Sequence, residues 1–192
     1  MEIEDEAKRL RKLIYETPWF IQVLEAVRSC DLPDWYVGGG VIRTLVWDHL
    51  HEHSEPTPMR DIDVAYFAGD DLRPELDELI EGKLLAILPD IPWQVKNQAA
   101  VHLWYKEKFG YGVEPLASTE DGIATFPEYA TSVGVRLLPS DEILLCAPYG
   151  LADLFHMVWR RNPRRVTKAI FIKRFMEKQI QTHFPKVRVL FD

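Results

Sequence analysis

Apolar positions along the chain follow two rhythms, one of three and four residues and one of two, and the rhythms alternate. Residues 4–16 place Ala7, Leu10 and Ile14 on one stripe with a charged outer face, the spacing of an amphipathic helix. Thr17 and Pro18 open a second helix, whose buried stripe is Phe20, Leu24 and Val27. A short apolar run at 35–37 then reads as a strand, broken by Gly38, Gly39 and Gly40. Helical spacing resumes over 40–51 with Ile42, Leu45 and Val46, a proline-containing loop covers 54–58, and residues 61–66 return to strand. Leu72, Leu76, Leu79, Ile80 and Leu84 predict a long helix over 71–88, stopped by Pro89 and Pro92. Residues 93–97 read as a strand, and the aromatic segment through Phe109 stays open between helix and strand. Ser118 or Thr119 caps a short helix, and residues 131–138 and 143–146 form a hairpin around Pro139, Ser140 and Asp141. From Leu151 onward the chain reads as helical and increasingly basic, interrupted at Asn162-Pro163.

Strands separated by helices, then a hairpin, predict an α+β (mixed α/β) fold: a sheet with helices packed on one side and helical extensions at both ends. A chain of 192 residues has the length of one well-buried domain, with N-terminal helices over 1–34, a core over 35–150 and a helical tail over 151–192. Apolar residues at 47% and charged residues at 28% are the balance of a globular protein that is neither disordered nor membrane-embedded. No apolar run approaches the ~20 residues of a membrane span. The amino terminus has no apolar signal core, and Cys30 and Cys146 fit no metal-ligand spacing, so both read as reduced thiols in the cytoplasm. A net charge of -7 argues against indiscriminate nucleic-acid binding while leaving room for a local basic surface.

The candidate chemistry sits between residues 35 and 66. Asp61 and Asp63 are two apart in a predicted strand, so their carboxylates point to one face and offer hard oxygen ligands suited to magnesium. Gly38, Gly39 and Gly40 let the backbone approach a ligand, and the helix that follows presents free N–H groups for phosphate. Arg43, one turn into that helix, either adds positive charge toward phosphate, clamps an aspartate, or is a structural ion pair. No Gly-Lys-Ser/Thr follows the glycines, which excludes a P-loop. His49, His51 and His53 read as a solvated helix end, since no third metal ligand accompanies them. Trp93, Trp104, Tyr105 and Tyr111 read as core and rim aromatics, one of them free to stack on a base. Lys96, Asn97, Gln98 and His102 are denser in polar groups than a strand usually carries, which points at least one of them at a cleft. The basic stretch Arg160 through Arg165, with Lys168, Lys173 and Arg174, is either a phosphate-binding surface or a solvated face.

Taken in order, Gly39-Gly40-Val41-Ile42-Arg43-Thr44 followed by Asp61-Ile62-Asp63 resembles the signature of the DNA polymerase β superfamily of nucleotidyltransferases: G-G-x-V-R-D, a variable loop, and D-x-D. In particular it is similar to the head domain of class II CCA-adding tRNA nucleotidyltransferases. Thr131-Ser132-Val133 resembles the F-T-I-N strand of those enzymes, and residues 147–154 resemble their D-P-F-G-G-L-E-D-L segment. V-K-N-Q at 95–98 together with A-P-Y-G-L-A-D-L at 147–154 resembles a family of small bacterial nucleotidyltransferase-like proteins. The resemblance covers roughly 35–155. It implies transfer of NMP from an NTP to an acceptor hydroxyl with loss of pyrophosphate, through Mg²⁺ or Mn²⁺ held by Asp61 and Asp63. It also implies phosphate binding by Gly38, Gly39, Gly40 and Arg43, and nucleotide contacts from Asn97, Gln98 and Thr131. Thr44 stands where the family has aspartate, and the strand 93–97 lacks a third carboxylate, whose place falls to Asn97 or a neighbour. Nothing after Leu154 is long enough for the neck, body and tail that grip tRNA, so the expectation is a stand-alone head domain whose acceptor, a small molecule, protein or RNA, is open. The competing reading is an inactive nucleotide-binding module of the same fold.

Overall fold

A computed structural model describes residues 2–191, with side chains from residue 5 onward. Five strands, β1 (Tyr36–Gly38), β2 (Ile62–Tyr66), β3 (Trp93–Asn97), β4 (Gly134–Leu137) and β5 (Ile143–Cys146), lie in the order β3-β2-β1-β4-β5. The pair β2 and β3 is parallel, because α4 (Pro74–Ile87) carries the chain back between them; the other neighbours are antiparallel.

The strand alternation sorts residues between two faces. Val37, Ile62, Val64, Tyr66, Trp93 and Val95 point into the main core, where they meet α1 (Glu2–Tyr15), α2 (Pro18–Ser29), α3 (Gly40–His51) and α4. Leu10, Ile14, Phe20, Leu24, Ile42 and Leu84 fill that interface with essentially no exposure, each contributing on the order of 1.5–3 kcal/mol of apolar burial. The opposite face is only partly covered. Ile123 of α6 (Thr119–Ile123) packs on Tyr36 and Cys146, and Val101 and Tyr105 of α5 (Val101–Phe109) pack on Leu116. Between these two covers a trough stays open over β2 and β3.

Three local expectations change. The tail is not helical throughout: α7 (Ala152–Phe155), α8 (Lys168–Lys178) and α9 (Ile180–His183) are accompanied by β6 (Val158–Arg160) and β7 (Arg188–Leu190), which pair in parallel. Strands of three residues are too short to show a period, and Trp159, fully buried against Trp47 and Phe171, supplies the packing that holds β6 in place. Thr17 precedes α2 without a side-chain cap, because its hydroxyl donates to Leu13 O at the end of α1 (2.7 Å). The strand expected over 131–138 starts only at Gly134, since Tyr129–Thr131 closes a 3-10 turn. Ser118 does cap α6, its hydroxyl accepting from Asp121 N–H at 3.0 Å. Among the described residues no helix is long and apolar enough to cross a membrane.

Candidate active site

The three glycines do three different things. A Cβ on Gly38 would lie 2.6 Å from the Val133 carbonyl oxygen, so this glycine serves the close approach of β1 and β4. Gly39 turns the chain into α3 at φ +73°, donates its N–H to Val133 O (3.0 Å), and leaves room for Asp63, whose Oδ2 would be 3.1 Å from a Cβ there. Gly40 begins α3 with open space beside it and lines the trough, and the N–H groups of a first helical turn have no partner within the helix.

Asp61 immediately precedes β2 and Asp63 lies within it, so the pleat turns both carboxylates to the trough together with Ala65. The parallel ladder sets Gln94 directly across from Asp63 and Lys96 across from Ala65. Burial pushes the Asp63 carboxyl up to about 6; the Asp61 charge adds to this, and Lys178, Arg174 and Lys108 oppose it.

A cavity of about 360 Å³ opens in front of the pair. Its far wall is α8, which presents Ile170, Arg174 and Lys178 at successive turns. Arg174 donates from Nε and Nη2 to the fully buried Glu128 carboxylate (2.8 and 3.3 Å), and Lys178 Nζ lies 3.9 Å from Asp61 Oδ2. A third side comes from α5 through Trp104, Tyr105, Lys108 and Phe109, and Phe126 closes the end beside Gly39.

Of the other expected residues, Gln98 and Thr131 line this cavity, though both have structural duties. Gln98 Nε2 donates to Lys96 O (3.1 Å) and its side chain fills the space beside Gly122, while the Thr131 hydroxyl is engaged with Glu128. Arg43 also reaches the cavity, but it clamps neither aspartate. Its guanidinium is buried over the rings of Trp47, Trp159 and Phe184, donates from Nη2 to Thr44 Oγ1 (2.9 Å), and leaves Nε without a hydrogen-bond partner. That burial lowers its pKa to about 10.

Asn97 does not belong to the site. It shares the core-facing side of β3 with Trp93 and Val95, donates to Ala68 O and Asp71 O, and accepts from Ala68 and Ala99 N–H groups. The third polar position beside the aspartates is Gln94, and the alternation of 93–97 carried that information: with Trp93 and Val95 inward, Gln94 and Lys96 must face out. Lys178 is absent from the expected residues: its spacing from Ile170 and Arg174 shows in the sequence, but the surface that this stripe faces does not. Of the histidines, His49 is exposed, His51 is bonded to Trp47 O and Lys186 N–H, and His53 to Asp48. Of the aromatics, Trp104 and Tyr105 reach the cavity whereas Trp93 is core. Much of the basic stretch is occupied internally: Arg160 by Asp153, Arg161 by Val166 O, Arg164 by Asp121, and Arg165 by Glu114 O.

Among the described residues no three acidic, histidine or cysteine side chains gather at one point. What the trough offers a cation is two carboxylates on one strand face and an amide across from them, all oxygen donors. Lys178 already sets a positive charge at Asp61. That donor set fits magnesium or manganese, ions that take one or two carboxylates and complete their shell with water and phosphate oxygens.

A family model described as nucleotidyltransferase matches residues 25–189. A search of curated proteins returns no match. Among solved structures, the chain is similar to an NMR structure said to reveal a CCA-adding enzyme head domain, with a TM-score of 0.80 and 26% identity over 95% of each chain. It is also similar to the Thermotoga maritima CCA-adding enzyme complexed with tRNA (TM-score 0.56, 14% identity) and to a CCA-adding enzyme in complex with ATP (TM-score 0.53, 16% identity). Those two likenesses are of fold, and the chain spans 42% of each of the two enzymes.

Proposed function

Since this chain belongs to the nucleotidyltransferase family, we propose that it moves a nucleoside monophosphate from an NTP to an acceptor hydroxyl and releases pyrophosphate. The observation that carries this reading is the arrangement across one cavity: Asp61 and Asp63 on the sheet, a glycine turn and helix start beside them, and the cations of α8 opposite. In the transfer, the acceptor oxygen bonds to the α-phosphorus, the bond from that phosphorus to the bridging oxygen of the β-phosphate breaks, and the hydroxyl proton passes to solvent.

Asp61 and Asp63, with Gln94 across the ladder, would hold the Mg²⁺ or Mn²⁺. When bound, such an ion polarises the α-phosphate and stabilises the charge on the attacking and leaving oxygens. The N–H groups at Gly40 and the first turn of α3 receive phosphate oxygens, and the Gly39 turn keeps the backbone close enough to do so. Arg174, immobilised by Glu128, adds fixed positive charge on the pyrophosphate side, and Lys178 stands one turn away from it on the same wall. Trp104 offers a flat apolar surface for the base, a contact that tolerates any base identity. Solved relatives of this fold carry tRNA and ATP, which supports an NTP as donor and leaves the acceptor to experiment.

The test is incubation with a labelled NTP panel, Mg²⁺ or Mn²⁺ and cell extract. The expected result is metal-dependent transfer of label to an acceptor, reduced at least about a hundredfold, or ~2.7 kcal/mol of barrier, in Asp61→Asn and Asp63→Asn with circular dichroism unchanged. Metal-linked nucleotide binding with no label transferred under any condition overturns the catalytic reading in favour of a binding module.

A further inference from the structure

The two cations that α8 turns to the cavity are held in opposite ways. Arg174 is fixed by two hydrogen bonds to a carboxylate with no exposure to water. Lys178, one turn later at the last residue of the helix, reaches the half-buried Asp61 on a flexible four-carbon stem, at the loose distance of 3.9 Å. Lys173 of the same helix points elsewhere and pairs with Glu177 at 3.7 Å, both well exposed. The cationic tip of Lys178 therefore stands at the carboxylate that the reading above gives to a divalent ion.

Resting on that reading, we infer that Lys178 is a tethered counter-ion, neutralising Asp61 while the metal is away and donating to the nucleotide's phosphate oxygens once the carboxylates are engaged. The charges account for both halves. Two carboxylates side by side on one strand face need positive charge nearby, and without a metal Lys178 is the cation within ion-pair range of Asp61 among the described residues. With a divalent ion on the carboxylates, the ammonium is left in excess beside a ligand that carries several negative charges. The stem makes that exchange by rotamer changes, with α8 where it is. A competitor that becomes a partner couples the two ligands: metal binds more weakly without nucleotide, and nucleotide more tightly with metal. By linkage the two effects are the same factor.

The experiment measures Mn²⁺ affinity by electron paramagnetic resonance, without and with a non-hydrolysable ATP analogue, on the wild type, Lys178→Met, Lys173→Met and Asp61→Asn. Methionine keeps the apolar stem and removes the charge, and Lys173→Met controls for net charge. Lys178→Met is expected to bind Mn²⁺ alone about two- to fivefold more tightly than Lys173→Met, the range of a partly exposed ion pair. At saturating Mn²⁺ it is expected to bind the analogue about fivefold or more weakly, having lost a charge-assisted contact to phosphate. Equal Mn²⁺ affinity in the two lysine variants overturns the inference, as does unchanged affinity for the analogue. Wild-type Mn²⁺ affinity in Asp61→Asn overturns the metal site itself, a failure that the lysine variants alone do not produce.

Discussion

Asn97 and Gln94 lie on the same short strand and face opposite ways, and this decides where an added carboxylate acts. An aspartate at 97 would set an acceptor against the carbonyl oxygens of Ala68 and Asp71, which now receive the two Nδ2 hydrogens. Asn97→Asp is therefore expected to lose on the order of 2–3 kcal/mol in urea unfolding, with no gain in metal binding. Gln94→Asp, across from Asp63, is expected to tighten Mn²⁺ binding several-fold in the same paramagnetic titration and, as a third like charge beside Asp61 and Asp63, to lower the urea midpoint without metal and recover it with Mn²⁺. A Gln94→Asp variant with unaltered Mn²⁺ affinity would remove this position from the site. The glycines separate by the same logic. Gly39→Val combines a left-handed φ with crowding of Asp63 and Phe126, and should destabilise by about 2 kcal/mol or more. Gly40→Val meets open space, so its thermal midpoint should hold while triphosphate affinity falls in calorimetry. Equal losses of stability at both positions would show that Gly40 also serves packing.

At the scale of elements, what could be read from the chain depended on length and locality. The strand Trp93–Asn97 and the helix start at Gly40 are visible because their signals are complete within a few residues, and the aspartate pair is visible because its partners are two apart. β6 and β7 escaped because three residues show no rhythm, and the role of α8 escaped because its stripe gains meaning only opposite a sheet formed far earlier in the chain. One tie from α8 to the body is the pair Glu128 and Arg174, and its two ends are not equivalent. Glu128 is fully buried, whereas the Arg174 side chain keeps about a third of its exposure. Arg174→Met strands a carboxylate away from water and is expected to cost about 3–5 kcal/mol in denaturant unfolding. Glu128→Gln strands a cation that still reaches solvent and should cost clearly less. The reverse order would mean that Arg174 is held mainly by its stem.

For the whole molecule, the main core draws on residues from Leu10 to Val187, so the tail packs into the same interior as the sheet. The parallel pairing of β6 with β7 has a mechanical meaning for the cavity wall between them. A helix attached at one end is a cantilever and can swing; α8 is a beam seated at both ends, on β6 before it and on β7 after it, with Arg174 pinned near mid-span. Bending stiffness in such a member is shared with its supports. The backbone spacing between the aspartate strand and α8 is thus a gauge set when the chain folds, and what stays adjustable across it is the side chain of Lys178.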